Sequence, residues 1–361
     1  MTSKFMSYMD NLAHALVGAA LGRAVADRHL PRAATIGVVA ANAPDWTELF
    51  LGLPGWTPAE FLQLHRGITH SLVGAIVEIV GLTLLFRVGW WLVAQWMRRR
   101  GREITVPAWR WLALCVCVTV LSHLYMDWQG SYGWRPFLPW SGRWFYLDWV
   151  AIADVFFWLV PLIGLAWGAE RHWIPLSVPL AIGTIITVVM ISNASIVAPW
   201  VFVISGALCV IALIGWTRYW YGPVARQRAT VLALTILALY AGAQGIAAQP
   251  RKTSIRRQAV QRFGPDANWA ALTNLGRPFT WQAMYANSDS VATDNWRVAR
   301  KLRLPAVKQT IETTTEGRAM AEFARFLTAD VDSAGRTIYL WDARFARTGR
   351  ENWAALSVKM E

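Results

Sequence analysis

The stretch "LSHLYMDW" places His123 and Asp127 four residues apart, so on a helix both side chains leave the same face and can reach one ion. Two more histidines, His65 and His70, stand five apart in "HRGITHSLVG" at the mouth of an apolar run. "MDNLAHALVG" adds Asp10, Asn11 and His14; "ANAPDWTEL" adds Asp45 in a proline-containing turn; "RWFYLDWVAIAD" adds Asp148 and Asp154. Imidazole nitrogens and carboxylate oxygens together suit zinc, manganese or iron rather than a thiolate-bound structural zinc. With at least six candidate ligands, two or more ions are within reach, and paired ions are the usual apparatus for activating water against phosphate esters. A lone interfacial histidine is more often a hydrogen-bonding surface residue, and one H-x-x-x-D is a weak signal. The metal reading rests on convergence in one layer of His14, Asp45, His65, His70, His123, Asp127 and Asp148. Asp154 adds a carboxylate inside an apolar segment, a costly placement that marks a functional candidate, although Arg143 or Arg66 could pair with it.

The elements that must bring these residues together are membrane helices. The chain of 361 residues is 55% hydrophobic and only 16% charged, with 23 tryptophans, residues that gather at the headgroup level of bilayers. Spanning segments are expected at 72–96, 107–126, 147–168, 176–198, 200–217 and 229–248, with shorter apolar stretches at 12–25 and 33–43 that suit short or tilted helices inside the bundle. Cys115, Cys117 and Cys209 all lie in apolar runs and read as buried small hydrophobes. The N-terminus lacks the pattern of a cleavable signal peptide.

The net charge of +13 comes from loops beside apolar segments and from the C-terminal region, which points to anionic lipid headgroups rather than nucleic acid. Under the positive-inside rule "MRRRGRE" and "TRYWYGPVARQR" face the cytoplasm, and counting crossings puts "AERHW" there as well. The candidate ligands then share the opposite face, and the chain after Pro250 lies outside the cytoplasm. Residues 1–250 form the membrane-embedded helical domain and residues 251–361 a small extracytoplasmic α+β domain. In the latter "PFTWQAMYA" and "GRTIYLWDARFA" read as strands and "EGRAMAEFARFL" as an amphipathic helix. No histidine follows residue 172, and nothing in this tail looks catalytic.

These motifs resemble the bacterial inner-membrane metal-dependent hydrolases of the YdjM type, some of which are under LexA control. "HRGITHSL" and "SHLYMDWQGSYGWRPFLPWSGRWFYLDWVAIAD" carry the resemblance most specifically, supported by "MDNLAHALVG" and "APDW". It covers roughly the first 160 residues. It implies an all-α polytopic bundle with a core like zinc-dependent phospholipase C and the P1-type nucleases. It also implies His14, Asp45, His65, His70, His123 and Asp127 as metal-binding positions, with Asp148 and Asp154 as additions. Family members often carry a second acid in "PDxD", where this chain reads "PDWTE"; Glu48 is the available substitute.

The function expected is therefore an integral inner-membrane hydrolase that uses a divalent metal, zinc first, to activate water against a phosphoester of a lipid or lipid-linked substrate. Asp148 or Asp154 would act as general base. Arg66, Arg135 and Arg143 would bind the anionic substrate, the last two from the aromatic loop "WQGSYGWRPFLPWSGRWFY", which reads equally well as an aromatic belt with snorkelling arginines. A non-enzymatic transporter, or a regulatory membrane protein with a stabilising metal, are the alternatives. A transporter needs polar groups along a through-path, and 176–217 offers little beyond Asn193 and a few Ser and Thr residues.

Overall fold

The structure is a computed structural model that describes all residues except 1–2, 48–55, 168–176, 218–222, 333, 350–352 and 361. Glu48 and "AERHW" lie outside the described residues.

Small residues set the geometry of the first helix pair. Helix α1 (Ser3–Ala26) packs against α2 (Ala33–Ala41), both rich in alanine and glycine. A methyl group added at Gly37 would lie 2.1 Å from the Gly18 carbonyl oxygen, and one at Gly22 would lie 2.3 Å from that of Ala33. Only glycine permits this backbone approach. Nine residues make α2 about 14 Å long, short of a crossing, so it works inside the bundle. A 3₁₀ turn, Ala43–Asp45, follows it directly.

Helix α3 (Pro58–Leu64) opens on a capping box formed by Thr57 and Glu60, and a second 3₁₀ turn spans Ile68–His70. Ser71 caps α4 (Leu72–Arg98) through a 3.0 Å bond from the Gly74 amide. After α5 (Trp109–Gln129) comes a departure from the expected spans. Residues 147–155 are not helical, and α6 runs only from Phe156 to Ala166. The strip's amides are taken elsewhere: Leu147 N–H donates to the Trp128 carbonyl and Trp149 N–H to that of Gln129, while the Asp154 carboxylate accepts from Phe156 N–H at 2.9 Å and starts the helix there. Helices α7 (Ser177–Ser192) and α8 (Pro199–Thr217) match the next two apolar segments. Helix α9 (Pro223–Phe263) runs unbroken through Pro250, because residues beyond it have an apolar face: Ile255 and Ala259 pack against Ala271, Ala283 and Tyr285 of the tail. Among the described residues α4, α5 and α9 are long and apolar enough to cross a membrane; α6, α7 and α8 are shorter apolar helices.

The tail holds two antiparallel sheets. One has the order β1 (Asn268–Thr273), β2 (Trp281–Ala286), β3 (Ser290–Thr293), β4 (Arg297–Ala299); the other is β5 (Leu327–Val331), β6 (Thr337–Asp342), β7 (Ala355–Lys359). Helices α10 (Pro305–Thr313) and α11 (Thr315–Phe323) lie between them in sequence. The expected strands and amphipathic helix are β2, β6 and α11. The tail docks on the bundle through polar contacts made by buried or half-buried arginines. Arg325 reaches both Asp148 oxygens at 3.0 Å, Arg135 meets Glu322 at 2.6 Å, and Arg344 donates to the carbonyls of Ser131 and Tyr132.

Candidate metal centre

Four elements converge on one point near the tail-facing end of the bundle. Helix α1 supplies Asp10 and His14, the turn after α2 supplies Asp45, the turn before α4 supplies His70, and the last turns of α5 supply His123 and Asp127. Along α5 the rise per residue places His123 about 21 Å from Trp109. All of these except Asp10 are buried, and Asp10 is half-buried.

The spacing of the donor atoms is that of a coordination shell. His70 Nε2 lies 3.0 Å from Asp45 Oδ1 and 3.1 Å from His123 Nε2, and His123 Nε2 lies 3.6 Å from Asp45 Oδ1. Asp127 Oδ2 closes a second triangle on the same two imidazoles at 3.4 and 3.6 Å. A tetrahedral ion with bonds of about 2.0–2.1 Å holds its ligand atoms about 3.3 Å apart. A third group, Asp10, His14 and Asp127, shares Asp127 with the second, with His14 Nε2 3.4 Å from an oxygen of each acid.

The outer contacts leave the right nitrogens free. His123 Nδ1 donates to the Ala41 carbonyl at 2.7 Å, and His70 Nδ1 lies 3.2 Å from Thr69 Oγ1, so in both rings Nε2 faces inward. His14 Nδ1 is buried without a hydrogen bond, and His14 Nε2 and Asp127 Oδ2 meet only acids and imidazoles of the cluster itself, at 3.4–3.6 Å. Buried orphans of this kind are costly unless another group satisfies them, and a cation would. Charge agrees: Asp10, Asp45 and Asp127 with the single guanidinium of Arg66 leave two net negative charges when the imidazoles are neutral. Burial alone would raise the Asp45 pKa, but the His123 and His70 rings outweigh it and hold the carboxyl well below the usual range. Burial pushes the His70 pKa down despite its bond to Asp45, which favours the neutral, ligating form.

Arg66 sits inside this cluster. Its backbone is left-handed (φ 51°), and its guanidinium lies 2.8 Å from Asp127 Oδ1 and 3.1 Å from Asp10 Oδ2, with further bonds to the carbonyls of Asp127 and Gly133. Burial would lower its pKa, but Asp127 and Asp10 overcome this and raise it, making it a fixed cation.

The other expected site residues are placed differently. His65 lines the cavity in front of the cluster, with its ring stacked on Phe61 and edge-on to Tyr132 rather than among the ligands. Asp148 is also left-handed (φ 47°) and held by Arg325. Asp154 accepts from Tyr240 Oη at 2.6 Å and from Gln244 Nε2 at 3.3 Å, and it borders a small cavity shared with Asp10, Arg66 and Asp127. Arg135 is tied to Glu322 and to the Gln63 carbonyl, and Arg143 lies exposed over the Phe145 ring. Asp10 is the residue that sequence reasoning left out of the ligand set. Its signal was the D-x-x-x-H spacing to His14, the reverse of the spacing of His123 and Asp127.

Comparisons with curated proteins and with solved structures gave no match. The family description "YdjM inner membrane protein" matches residues 9–250, about two-thirds of the chain and all of the cluster. The chain belongs to the YdjM inner membrane protein family.

Proposed function

We propose that the protein is a metal-dependent hydrolase that cleaves a phosphoester of a lipid or lipid-linked substrate at the tail-facing end of the bundle. The observation that carries this reading is the set of inward-facing donors, Asp45, His70, His123, Asp127 and His14, with orphaned buried atoms among them. Zinc fits the mixed nitrogen and oxygen donors, with manganese or iron as alternatives; two ions sharing Asp127 fit the overlapping groups. Such an ion, when bound, acidifies water and polarises a phosphoryl oxygen.

The protein's own groups do the rest. The Ala41 carbonyl holds the Nδ1 proton of His123, and Thr69 Oγ1 pairs with His70 Nδ1, so both rings are oriented from outside. Arg66 offsets the carboxylates, so an anionic substrate is not repelled by bare acid charge. Asp154 is the expected base that stays beside the cluster, across the small cavity bordered by Asp10 and Arg66. Its oxygens accept from Tyr240, Phe156 N–H and Gln244, which fix the carboxylate in place. Asp148, paired with Arg325, serves docking of the tail instead. The phospholipase C-like core implied by the resemblance belongs to the same proposal. So does a multi-pass topology with the Arg226 end in the cytoplasm and the tail in the periplasm, which rests on the basic loops.

The test is turnover of bis(4-nitrophenyl) phosphate by the detergent-purified full chain, before and after chelation and after adding back zinc or manganese. A loss of about 100-fold on chelation, restored by metal, is the expected result. A rate indifferent to the chelator would remove the reading.

A further inference from the structure

The cavity in front of the cluster is only half built by the bundle. Its volume is about 190 Å³. Asp10, Asp45 and Arg66 form one wall, while Arg344, Phe345 and Trp353 of the tail form another. The turn between β1 and β2 also contributes, and Leu275 of that turn lines a second cavity of about 50 Å³ as well. Beneath both runs the non-helical strip that precedes α6, with Ile152 in the first cavity and Ala151 and Ala153 in the second.

The second cavity is apolar in effect. Trp158, Met190, Val197 and Val201 face it. Its polar neighbours are already engaged: Asp154 by Tyr240 and Gln244, Asn193 with the Val189 carbonyl, and Asn274 with Thr280. Each of these polar side chains already has a protein partner, and the rest of the lining is mostly apolar. The cavity lies where α7 turns into α8, and Ile191, Ile196 and Trp200 are exposed beside it. The β1–β2 turn is clamped onto this place. Ala198 N–H donates to the Gly276 carbonyl at 2.9 Å, Arg277 Nε donates to that of Ile196 at 2.8 Å, and a Cβ at Gly276 (φ 68°) would lie 2.8 Å from the Val197 side chain.

We propose that the two cavities form one site for an amphipathic lipid. The anionic head lies before the cluster, and the acyl chain passes Leu275 into the apolar cavity and continues along the outer faces of α7 and α8. The tail is then the second half of the binding site, supplying the junction and the wall opposite the ligands. The head position rests on the proposed function, but the chain site stands on the Leu275 wall that both cavities share and on the apolar lining beyond it, and can be tested without turnover.

The experiment measures binding of a phosphatidic acid with a fluorescent acyl chain to the detergent-purified full chain, with unlabelled dioleoyl phosphatidic acid and glycerol 3-phosphate as competitors. Val201→Trp fills the apolar cavity and Leu275→Trp blocks the junction. Each is expected to weaken the labelled lipid at least 10-fold with metal content unchanged, and the milder Leu275→Ser about 3-fold. Dioleoyl phosphatidic acid should compete at least 100-fold better than glycerol 3-phosphate. Unchanged affinity in Val201→Trp and Leu275→Ser, or equal competition by the two phosphates, would overturn the proposal. Chain-dependent binding in a protein that shows no diester turnover would support the lipid site while removing the hydrolase.

Discussion

The two ends of the bundle carry similar polar residues and treat them in opposite ways. At the end where α1 and α6 finish and α9 begins, polar groups among the described residues meet protein partners: Arg226 meets Asp27 at 3.0 Å, Arg23 donates to the Leu165 carbonyl, Gln227 to that of Ala24, and His29 stacks on Trp111. At the other end six side chains aim nitrogen and oxygen atoms at a common point, and some of those atoms are left without a hydrogen bond. A histidine or aspartate in an apolar chain is therefore not the mark of a site. Convergence that the protein does not itself satisfy is the mark.

The largest expected effect comes from breaking the converging end at its shared carboxylate. Asp127→Asn removes the charge opposite Arg66, leaving a buried guanidinium underpaired. It should cost about 3–5 kcal/mol in thermal or denaturant unfolding of the detergent-solubilised protein, together with the bound metal. A cost under about 1 kcal/mol would show that Asp127 is not the hub.

Asp154→Asn probes the buried carboxylate at the start of α6. Asparagine keeps the shape but loses one of the two acceptor oxygens that meet Tyr240, Gln244 and Phe156 N–H, and a loss of about 2–3 kcal/mol in unfolding of the detergent-solubilised protein is expected. A cost under about 0.5 kcal/mol would contradict a structural need for this carboxylate.

Asp148→Asn tests the tail's docking. Asparagine tolerates the left-handed backbone, so the variant removes the charge facing Arg325 and little else. A loss of about 2 kcal/mol is expected, with faster proteolysis of the tail and retained metal. Smallest should be Asp27→Asn at the satisfied end, where the pair with Arg226 is partly solvated: about 1 kcal/mol or less, and no change in metal content.

Much of the converging end was legible because helical spacing is local. His123 and Asp127 share a face by arithmetic, and the two short apolar stretches delivered His14 and Asp45 as inner helices would. Asp10 was readable by the same arithmetic. His65 shows the limit of proximity in sequence: five residues from His70, it turns outward at the end of α3 to meet Phe61 and Tyr132. Arg135 and Asp148 were read as site residues, but their partners, Glu322 and Arg325, lie more than 170 residues away, and no local pattern announces such pairs. The strip 147–155 looked like helix because its composition is apolar. What decides otherwise is the claim on its amides by the carbonyls of Trp128 and Gln129, which a hydropathy profile does not contain.

The most direct test of the account is the metal itself. Elemental analysis of the detergent-purified wild type should find at least one divalent transition metal or zinc ion per chain, and His70→Ala combined with His123→Ala should lose it while Asp27→Asn keeps it. A wild type free of such metal, even after incubation with zinc and manganese, or a double variant with undiminished content, would contradict the central claim.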